Sequence, residues 1–453
     1  MPVLLIPLLF LSVYLLSKSI LVRYRRKVLR QSAINLQTLL SSTSSSSSLG
    51  SGSSINGHTV VGLFHPFCNA GGGGERVVWT AVEFMQRVSK KEKEEGKQGG
   101  LQILIYTGDW PGVAKDEILD RARSRFNIRL DPATVHFVPI RSRAMIGDSY
   151  WPRLTLLGQA WGSIICAWES LAGDRGIVPD IFIVVRLLSG SKIPIGAYVH
   201  YPTISTDMLE RVRTRQATHT NTHVASSSIR SNLKLIYYRF FALLYTFALG
   251  LVGPQGVIWA NSTWTKDHLV KLLGEGNDVK ILYPPCETGA LSALELDPGG
   301  NGQRERVILS LAQFRPEKDH PMQLHALAEL FARKPNWKEK GKDQVKLVMV
   351  GSVRDEGDER RVQGLRELAQ KLDLQDNLEI VVNASYQDLL GWLGRSSVGI
   401  ATMVDEHFGI NVVEFMSAGL IPLSHASAGP LLDIIIPYHD LPTGYHARPN
   451  NEI

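Results

Sequence analysis

Cysteine is scarce in this sequence: Cys68, Cys166 and Cys286 are the only three in 453 residues. They lie far apart and without metal-ligand spacing, which excludes a zinc module and a disulfide scaffold and fits a reducing compartment. No Asp-x-Asp pair occurs. The one run of four glycines, Gly71 to Gly74, lacks the Lys-Ser/Thr of a nucleotide-triphosphate loop, and Arg76 stands where a dinucleotide fingerprint needs its last glycine. Walker-type and nicotinamide-binding chemistry are therefore disfavoured. Positive charge is in modest excess, +6, but is dispersed rather than gathered into a stripe, so no nucleic-acid-binding face is expected. With 44% hydrophobic and 20% charged residues the chain is globular and long enough for two substantial cores.

Long apolar runs, by contrast, are present. Val3 to Val22 is almost wholly apolar and long enough to cross a bilayer as a helix. The cationic stretch Arg23 to Arg30 follows at once, so the positive-inside rule puts everything downstream in the cytosol. A cleaved signal peptide fits poorly, since neither a charged leader segment nor a small-residue cleavage site flanks the run. Residues 1–22 are expected to be a retained anchor and 23–57, ending in a serine tract, a flexible tether. A second run, Leu233 to Leu251, is apolar and aromatic but carries Lys234 and Arg239. A buried core helix, a further span and a helix lying in the membrane surface all remain open, the internal cations weighing against a plain span.

From His58 the pattern alternates. Strands are expected at 59–64, 101–107, 134–140, 181–185, 195–200 and 257–261, with helices at 76–88, 114–125 and 156–171. After a less ordered connection (287–306) the alternation resumes with strands at 307–312, 345–350, 378–382 and 398–403 and helices at 322–332, 359–372 and 386–393. This predicts two doubly wound α/β units, 58–286 and 307–453.

The stretch Glu406-His-Phe-Gly-Ile-Asn-Val-Val-Glu414 forms a loop at a strand's carboxyl end, followed by a helix from Ile410 to about Ala418 that Gly419 closes. Ligands of open α/β sheets bind at such ends, and loop amides with a helix N-terminus suit a phosphate or diphosphate. On spacing alone, a solvated loop carboxylate and an exposed helix glutamate would be the commoner arrangement. Gln313-Phe-Arg-Pro-Glu-Lys318 follows the strand that opens the second unit, where the Arg315 fork and the Lys318 ammonium can meet a diphosphate. His200 closes a first-unit strand. The glycine loop is compatible with a phosphate cradle or with a tight turn.

HPFCNAGGGGERVVW, IPIGAYVHYPTISTDML, ANSTWT, ILYPPC, QFRPEKDHP and EHFGINVVEFMSAGLIPLSHASAGP together closely resemble the GDP-mannose-dependent α-1,2-mannosyltransferases of the dolichol pathway. The resemblance runs from His58 to Thr443. It implies a GT-B fold, with two Rossmann-like doubly wound domains facing a cleft behind an N-terminal transmembrane helix. It also implies a single-pass enzyme on the cytosolic face of the endoplasmic reticulum membrane. Such an enzyme would transfer mannose with retention from GDP-mannose to dolichyl-diphosphate-linked Man3GlcNAc2, giving Man5GlcNAc2, beside other early mannosyltransferases of that pathway. On this resemblance Glu406 lies at the donor mannose and Glu414 at the nucleotide ribose. Arg315 and Lys318 lie at the diphosphate, with Phe408, Gly409 and Ile410 in the donor loop. His200 faces the sugar and Gly71, Gly72, Gly73 and Gly74 line the acceptor side. No metal or other cofactor is expected.

Two departures bear on activity. Val184 to Gly190 runs almost directly into Lys192-Ile-Pro, where the family carries a further loop and helix, and the sequence given stops at Ile453, where the family continues. The alternative these leave open is a catalytically impaired relative acting as a binding or scaffold protein for partner transferases.

Overall fold

The architecture comes from a computed structural model that describes residues 5–41, 58–69, 72–97, 100–183, 194–215, 227–250, 252, 256–274, 278–295, 304–353 and 355–448. Side chains are described from Lys18 onward, Asp148 excepted. The shortened stretch Val184 to Gly190, Gly71 and most of the serine tract lie outside the described residues.

Strands β1 (His58–Phe64), β2 (Gly100–Thr107), β3 (Val135–Pro139), β4 (Ile181–Ile183), β5 (Ile195–Val199), β6 (Val257–Ala260) and β7 (Val279–Ile281) form a sheet in the order β3-β2-β1-β4-β5-β6-β7. A second sheet holds β8 (Glu305–Leu311), β9 (Lys346–Gly351), β10 (Leu378–Val382), β11 (Ser396–Ala401), β12 (Ile421–His425) and β13 (Tyr445–Ala447), in the order β10-β9-β8-β11-β12-β13. All five pairs of the second sheet are parallel, as are β1 with β2 and β4, β2 with β3, and β4 with β5. Each sheet begins in its middle, grows to one edge and then crosses back. The strand order therefore reverses between β1 and β4 in the first sheet and between β8 and β11 in the second. At such a reversal the crossover helices leave to opposite faces and open a crevice outside the carboxyl ends of the strands.

The near-continuous apolar strands reflect sheets covered on both faces. Helices α1 (Leu5–Ser41), α2 (Gly73–Glu94), α3 (Lys115–Phe126) and α4 (Thr155–Ala172) cover the first sheet. On one face Trp79 and Val82 of α2 and Ile118, Ala122 and Phe126 of α3 bury Ile103, Ile105, Val135 and Phe137. On the other, Cys166 of α4 and Leu36 of α1 bury Val60, Leu104, Tyr106 and Val138. The other α-helices among the described residues are α5 (Thr206–Arg213), α6 (Ser228–Gly250), α7 (Thr263–Leu273), α8 (Thr288–Ser292), α9 (His320–Arg333), α10 (Glu356–Lys371), α11 (Tyr386–Arg395) and α12 (Ile410–Ser417). Along β9 the alternation of the pleat is visible: Leu347 and Met349 pack with Leu324 and Phe331 of α9 and Val362 of α10, while Val348 and Val350 pack with Trp392 and Phe415 of α11 and α12. Gly399 in β11 is required by this packing, because a Cβ there would sit 2.2 Å from the Phe415 ring.

By internal contacts the chain divides into two compact units, Met1–Tyr198 with Phe240–Ile258, and Val199–Arg239 with Trp259–Ile453. The expected tether departs from its description. The helix continues through Ser41, and residues 31–41 are docked rather than free. Ser32 Oγ accepts from the Val178 amide at 2.8 Å, and Asn35 Nδ2 donates to the carbonyls of Asp174 and Gly176 at 3.0 and 2.9 Å. The reason is legible afterwards: Ser32, Leu36 and Leu39–Leu40 recur at helical spacing and present one face. Among the described residues, one helix, α6, is long and apolar enough to cross a membrane, with 11% of its apolar window buried.

Docking of this segment makes Leu36 a core residue. Leu36→Ala is expected to cost about 2–5 kcal/mol in denaturant unfolding of the first unit; an unchanged midpoint would show residues 31–41 to be undocked.

Candidate active site

In the second unit, two loops leave the carboxyl ends of the strands that flank the reversal. The one after β8 runs through Gln313 and Phe314 to a 3-10 turn, Pro316–Lys318, and then into α9. The one after β11 runs from Thr402 to Gly409 and then into α12. They meet in an ion pair between Lys318 and Glu406. Their side chains are only 21% and 14% exposed, so solvent screens the pair less than it would a surface bridge. Met403 Sδ lies 3.2 Å from Lys318 Nζ. The loops are also tied by Thr402, whose hydroxyl donates to the Lys318 carbonyl at 2.8 Å and accepts from Gln323 Nε2 at 2.9 Å. Arg315, in the same turn, faces Glu317 at 3.7 Å, and its buried Nε has no hydrogen-bond partner.

The Glu406 loop is backed on several sides. The Gly429 amide donates to the Glu406 carbonyl at 3.0 Å, and Ser427 Oγ accepts from the Asp405 amide at 2.8 Å. Gly429 has no room for a side chain, since a Cβ would lie 2.4 Å from the Phe408 carbonyl oxygen. Arg211 of α5 forms an ion pair with Asp405. His407 packs against two rings, Tyr201 at 4.1 Å and Trp264 at 5.4 Å between centroids, which also stack on each other at 5.9 Å. Burial holds its imidazole below the ordinary value, and the adjacent Glu406 carboxylate opposes only part of that. Phe408 stacks on Tyr283 at 5.4 Å. Tyr283 in turn donates to Asp433 at 3.0 Å, as does the Thr263 amide at the start of α7.

Helix α12 begins at Gly409, whose φ of 105° suits glycine and strains other residues. The N-cap glycine has no side chain to cap this N-terminus, and Asn411 Oδ1 accepts from the Val412 amide at 3.0 Å, which leaves the amides of Ile410 and Asn411 to present the helix's partial positive charge. Asn411 ties the first turn to the end of β8, donating to the Leu311 carbonyl at 3.1 Å. Glu414 is one turn further in and half-buried. The arrangement is thus a carboxylate, an ammonium, a guanidinium and an open helix N-terminus at one strand reversal. It can hold a diphosphate on its cationic side and set a negative charge against a developing cation.

His200, at the end of β5, is exposed. Its neighbour Tyr201, which sequence reasoning passed over, is the residue that reaches the His407 ring. Trp264, Arg211, Asn411 and Asp433 were also missed; Trp264 and Asn411 stood inside motifs quoted as wholes, while Arg211 and Asp433 lay outside them. In the first unit Gly72 caps α2, and Glu75 reaches back to accept from the Gly72 amide at 2.6 Å. Burial raises the Glu75 carboxyl, but the His65 ring 3.3 Å away and the backbone amides outweigh it and hold the group low. An internal carboxylate therefore already takes an amide that a phosphate cradle would use.

Residues 58–273 match the family described as ALG11 mannosyltransferase N-terminus, and residues 295–453 match Glycosyl transferases group 1. A Neurospora crassa protein named GDP-Man:Man(3)GlcNAc(2)-PP-Dol alpha-1,2-mannosyltransferase is 41% identical over 420 residues, covering 87% of this chain and 72% of the relative. Proteins of the same name from Mus musculus and Homo sapiens are 40% and 39% identical, each covering 86% of this chain and 77% of its own. Among solved structures, a UDP-forming trehalose-phosphate synthase from Burkholderia xenovorans superposes with a TM-score of 0.52 at 13% identity, covering 83% of this chain and 85% of its own. A glycosyltransferase from Rickettsia africae gives 0.50 at 14%, covering 87% and 85%. These last two speak to the fold alone, which is GT-B.

His320 opens α9 beside the site, and burial pushes its imidazole down to about 4, with Lys318 adding to the effect. Its folded value lies below the unfolded one, so its contribution to stability is constant above about pH 6.5, is lost as pH falls toward 4, and levels off below. The loss amounts to about 3 kcal/mol over that window. Chemical unfolding at several pH values is expected to show this contribution, and His320→Leu to shrink the slope while the part due to His136, which burial also pushes down to about 4, remains.

Proposed function

Because the chain belongs to the GDP-Man:Man(3)GlcNAc(2)-PP-Dol α-1,2-mannosyltransferase family, we propose that it moves mannose from GDP-mannose onto dolichyl-diphosphate-linked Man3GlcNAc2, with retention, and then repeats the step to give Man5GlcNAc2. The observation that carries this reading is the Lys318–Glu406 pair at the β8–β11 reversal, on the loop that opens α12. The bond from the mannose anomeric carbon to the diphosphate breaks, and the 2-hydroxyl oxygen of the acceptor mannose bonds to that carbon. The hydroxyl proton passes to the departing diphosphate oxygen.

In this reaction Glu406 faces the positive charge that develops on the sugar ring, and Lys318, Arg315 and the α12 amides face the negative charge on GDP. Each is fixed before the donor arrives, which is the condition for electrostatic stabilisation of a transition state. Glu406 is already compensated by Lys318, which favours charge stabilisation and a front-face route over nucleophilic attack by the carboxylate. Glu414 is assigned to the nucleotide ribose, Phe408, Gly409 and Ile410 to the donor loop, and His200 to the sugar. The glycine loop at Gly72 is assigned to the acceptor side. The positive charge needed by the leaving group comes from the protein, so no divalent cation is required.

The proposed place of work is the endoplasmic reticulum membrane, with the catalytic units in the cytosol. Helix α6 supports membrane contact: Ile229, Leu233, Ile236, Phe240, Leu243 and Phe247 are exposed and recur every three or four residues, while Arg230, Lys234 and Arg239 supply cations for a lipid surface.

The test is mannose transfer from GDP-mannose by the full chain in membranes, with lipid-linked Man3GlcNAc2 as acceptor. Two α-1,2-mannoses are expected to be added, Glu406→Ala and Lys318→Ala to lose at least about 10²–10³-fold in turnover, and EDTA to have no effect. Absence of transfer by a folded wild-type chain that binds GDP would contradict the proposal.

A further inference from the structure

The first unit has a cavity of about 360 Å³ that none of the chemistry above uses. It opens at the carboxyl ends of β2 and β3. Gly108 and Trp110 to Gly112 line it from the loop after β2, Pro139 from the end of β3, Arg141 and Arg143 from the turn that follows, and Arg175 from the turn after α4. Three arginines line it, Arg141, Arg143 and Arg175, and no acidic residue does.

Two of the nearby carboxylates already have partners. Asp109 pairs with Arg143 and accepts from the Asn69 amide at 3.0 Å. Glu169 of α4 accepts from the amides of Arg141 and Ser142 at 2.8 and 3.0 Å and from the Ser142 hydroxyl at 2.5 Å. Asp174 is exposed in the turn beside Arg175. Among the described residues neither Arg141 nor Arg175 makes an ion pair. Arg143 is fixed in place: its guanidinium carbon lies 4.9 Å above the Phe67 ring, and a Cβ on Gly108 would meet its side chain at 2.4 Å. Two unneutralised guanidinium forks beside a fixed third are chemistry for a multiply charged phosphate.

What surrounds the cavity narrows the source of that phosphate. Asp174 and Gly176, which flank Arg175, are the residues whose carbonyls accept from Asn35 of α1. The helix that begins with the apolar N-terminal run is therefore fastened to the arginine turn itself. Helix α4 clamps the Arg141–Ile146 turn, since Gly162 leaves no room for a Cβ against the Met145 carbonyl. The same helix exposes Trp161 and Trp168, with Tyr150 and Leu154 exposed just before it. Aromatic and apolar side chains left in solvent on and just before the helix that holds the Arg141 turn match an interface that meets an anionic headgroup bearing an apolar tail.

We propose that this cavity holds the diphosphate of the lipid-linked acceptor, with Arg141 and Arg175 as its binding residues and Arg143 positioned beside them. The assignment of the diphosphate to an acceptor rests on the transferase reading above; the anion site itself does not.

The full chain in detergent is titrated with a polyprenyl diphosphate, with inorganic pyrophosphate and, as control, with GDP. Arg141→Ala combined with Arg175→Ala is expected to weaken polyprenyl diphosphate about ten- to hundredfold, to weaken pyrophosphate likewise, and to leave GDP unchanged. The double Lys variant is expected to recover part of the affinity. In the transfer assay the acceptor KM rises in the Ala variant while the GDP-mannose KM does not. Unchanged polyprenyl diphosphate binding overturns the proposal, as does a parallel loss of GDP affinity, which marks a structural effect. Arginine-dependent binding of pyrophosphate without that of polyprenyl diphosphate overturns the acceptor assignment in favour of a free phosphate. A wild-type chain that transfers no mannose yet shows the arginine-dependent lipid diphosphate binding sinks the functional reading and supports the site.

Discussion

Two opposite charges held in contact at a strand reversal are the constraint on which the second unit turns. Lys318 and Glu406 stand 88 residues apart, one at the end of a single 3-10 turn and the other in an irregular loop. A shielded ion pair there is strongly destabilising if half of it is lost and weakly stabilising when intact. Its value is in fixing where a carboxylate and an ammonium stand before a ligand arrives. Much of the surrounding sequence reads as support for that position: Thr402 and Gln323 tie the two loops, Ser427 and Gly429 hold the Glu406 backbone, and Arg211 neutralises Asp405 next door.

The ring stack makes a second layer of the same support. His407 packs on Tyr201 and Trp264, and Phe408 on Tyr283, so the two residues that follow Glu406 are each anchored on rings. Burial disfavours a proton on His407, and with it a further cation beside Lys318. Gly409 then turns the chain into α12 through a backbone conformation that suits glycine. Carboxylate, rings and open helix end are thereby set in five consecutive residues, 405–409.

Much of this was legible in the sequence because it is local. The apolar strands β8, β9 and β11, the helix opening at Ile410 and the placement of Lys318 and Glu406 at strand ends all follow from periodicity and from glycine. The partners of those residues were not legible. Tyr201, Arg211 and Trp264 are separated from the Glu406 loop by more than 130 positions, and nothing in a strand-end tyrosine or a helix-start tryptophan announces what it will stack on. The N-terminal segment failed for a different reason. Its serines suggested a tether, but helical spacing of Ser32, Leu36 and Leu39 reached further along the chain than composition indicated, and only the facing sheet shows where that stripe is buried. The arginine cavity escaped likewise, because Arg141, Arg143 and Arg175 converge through the fold and share no motif.

A double-mutant cycle on mannose transfer most directly tests whether the charge pair acts as one device. Turnover would be measured for Lys318→Ala, Glu406→Ala and the two combined, with GDP affinity followed in parallel. If the pair is a unit, the combined variant is no slower than the slower single one, because the first change already dismantles the site. Losses that multiply would contradict the account, showing that the two residues act independently and that their contact is incidental to transfer.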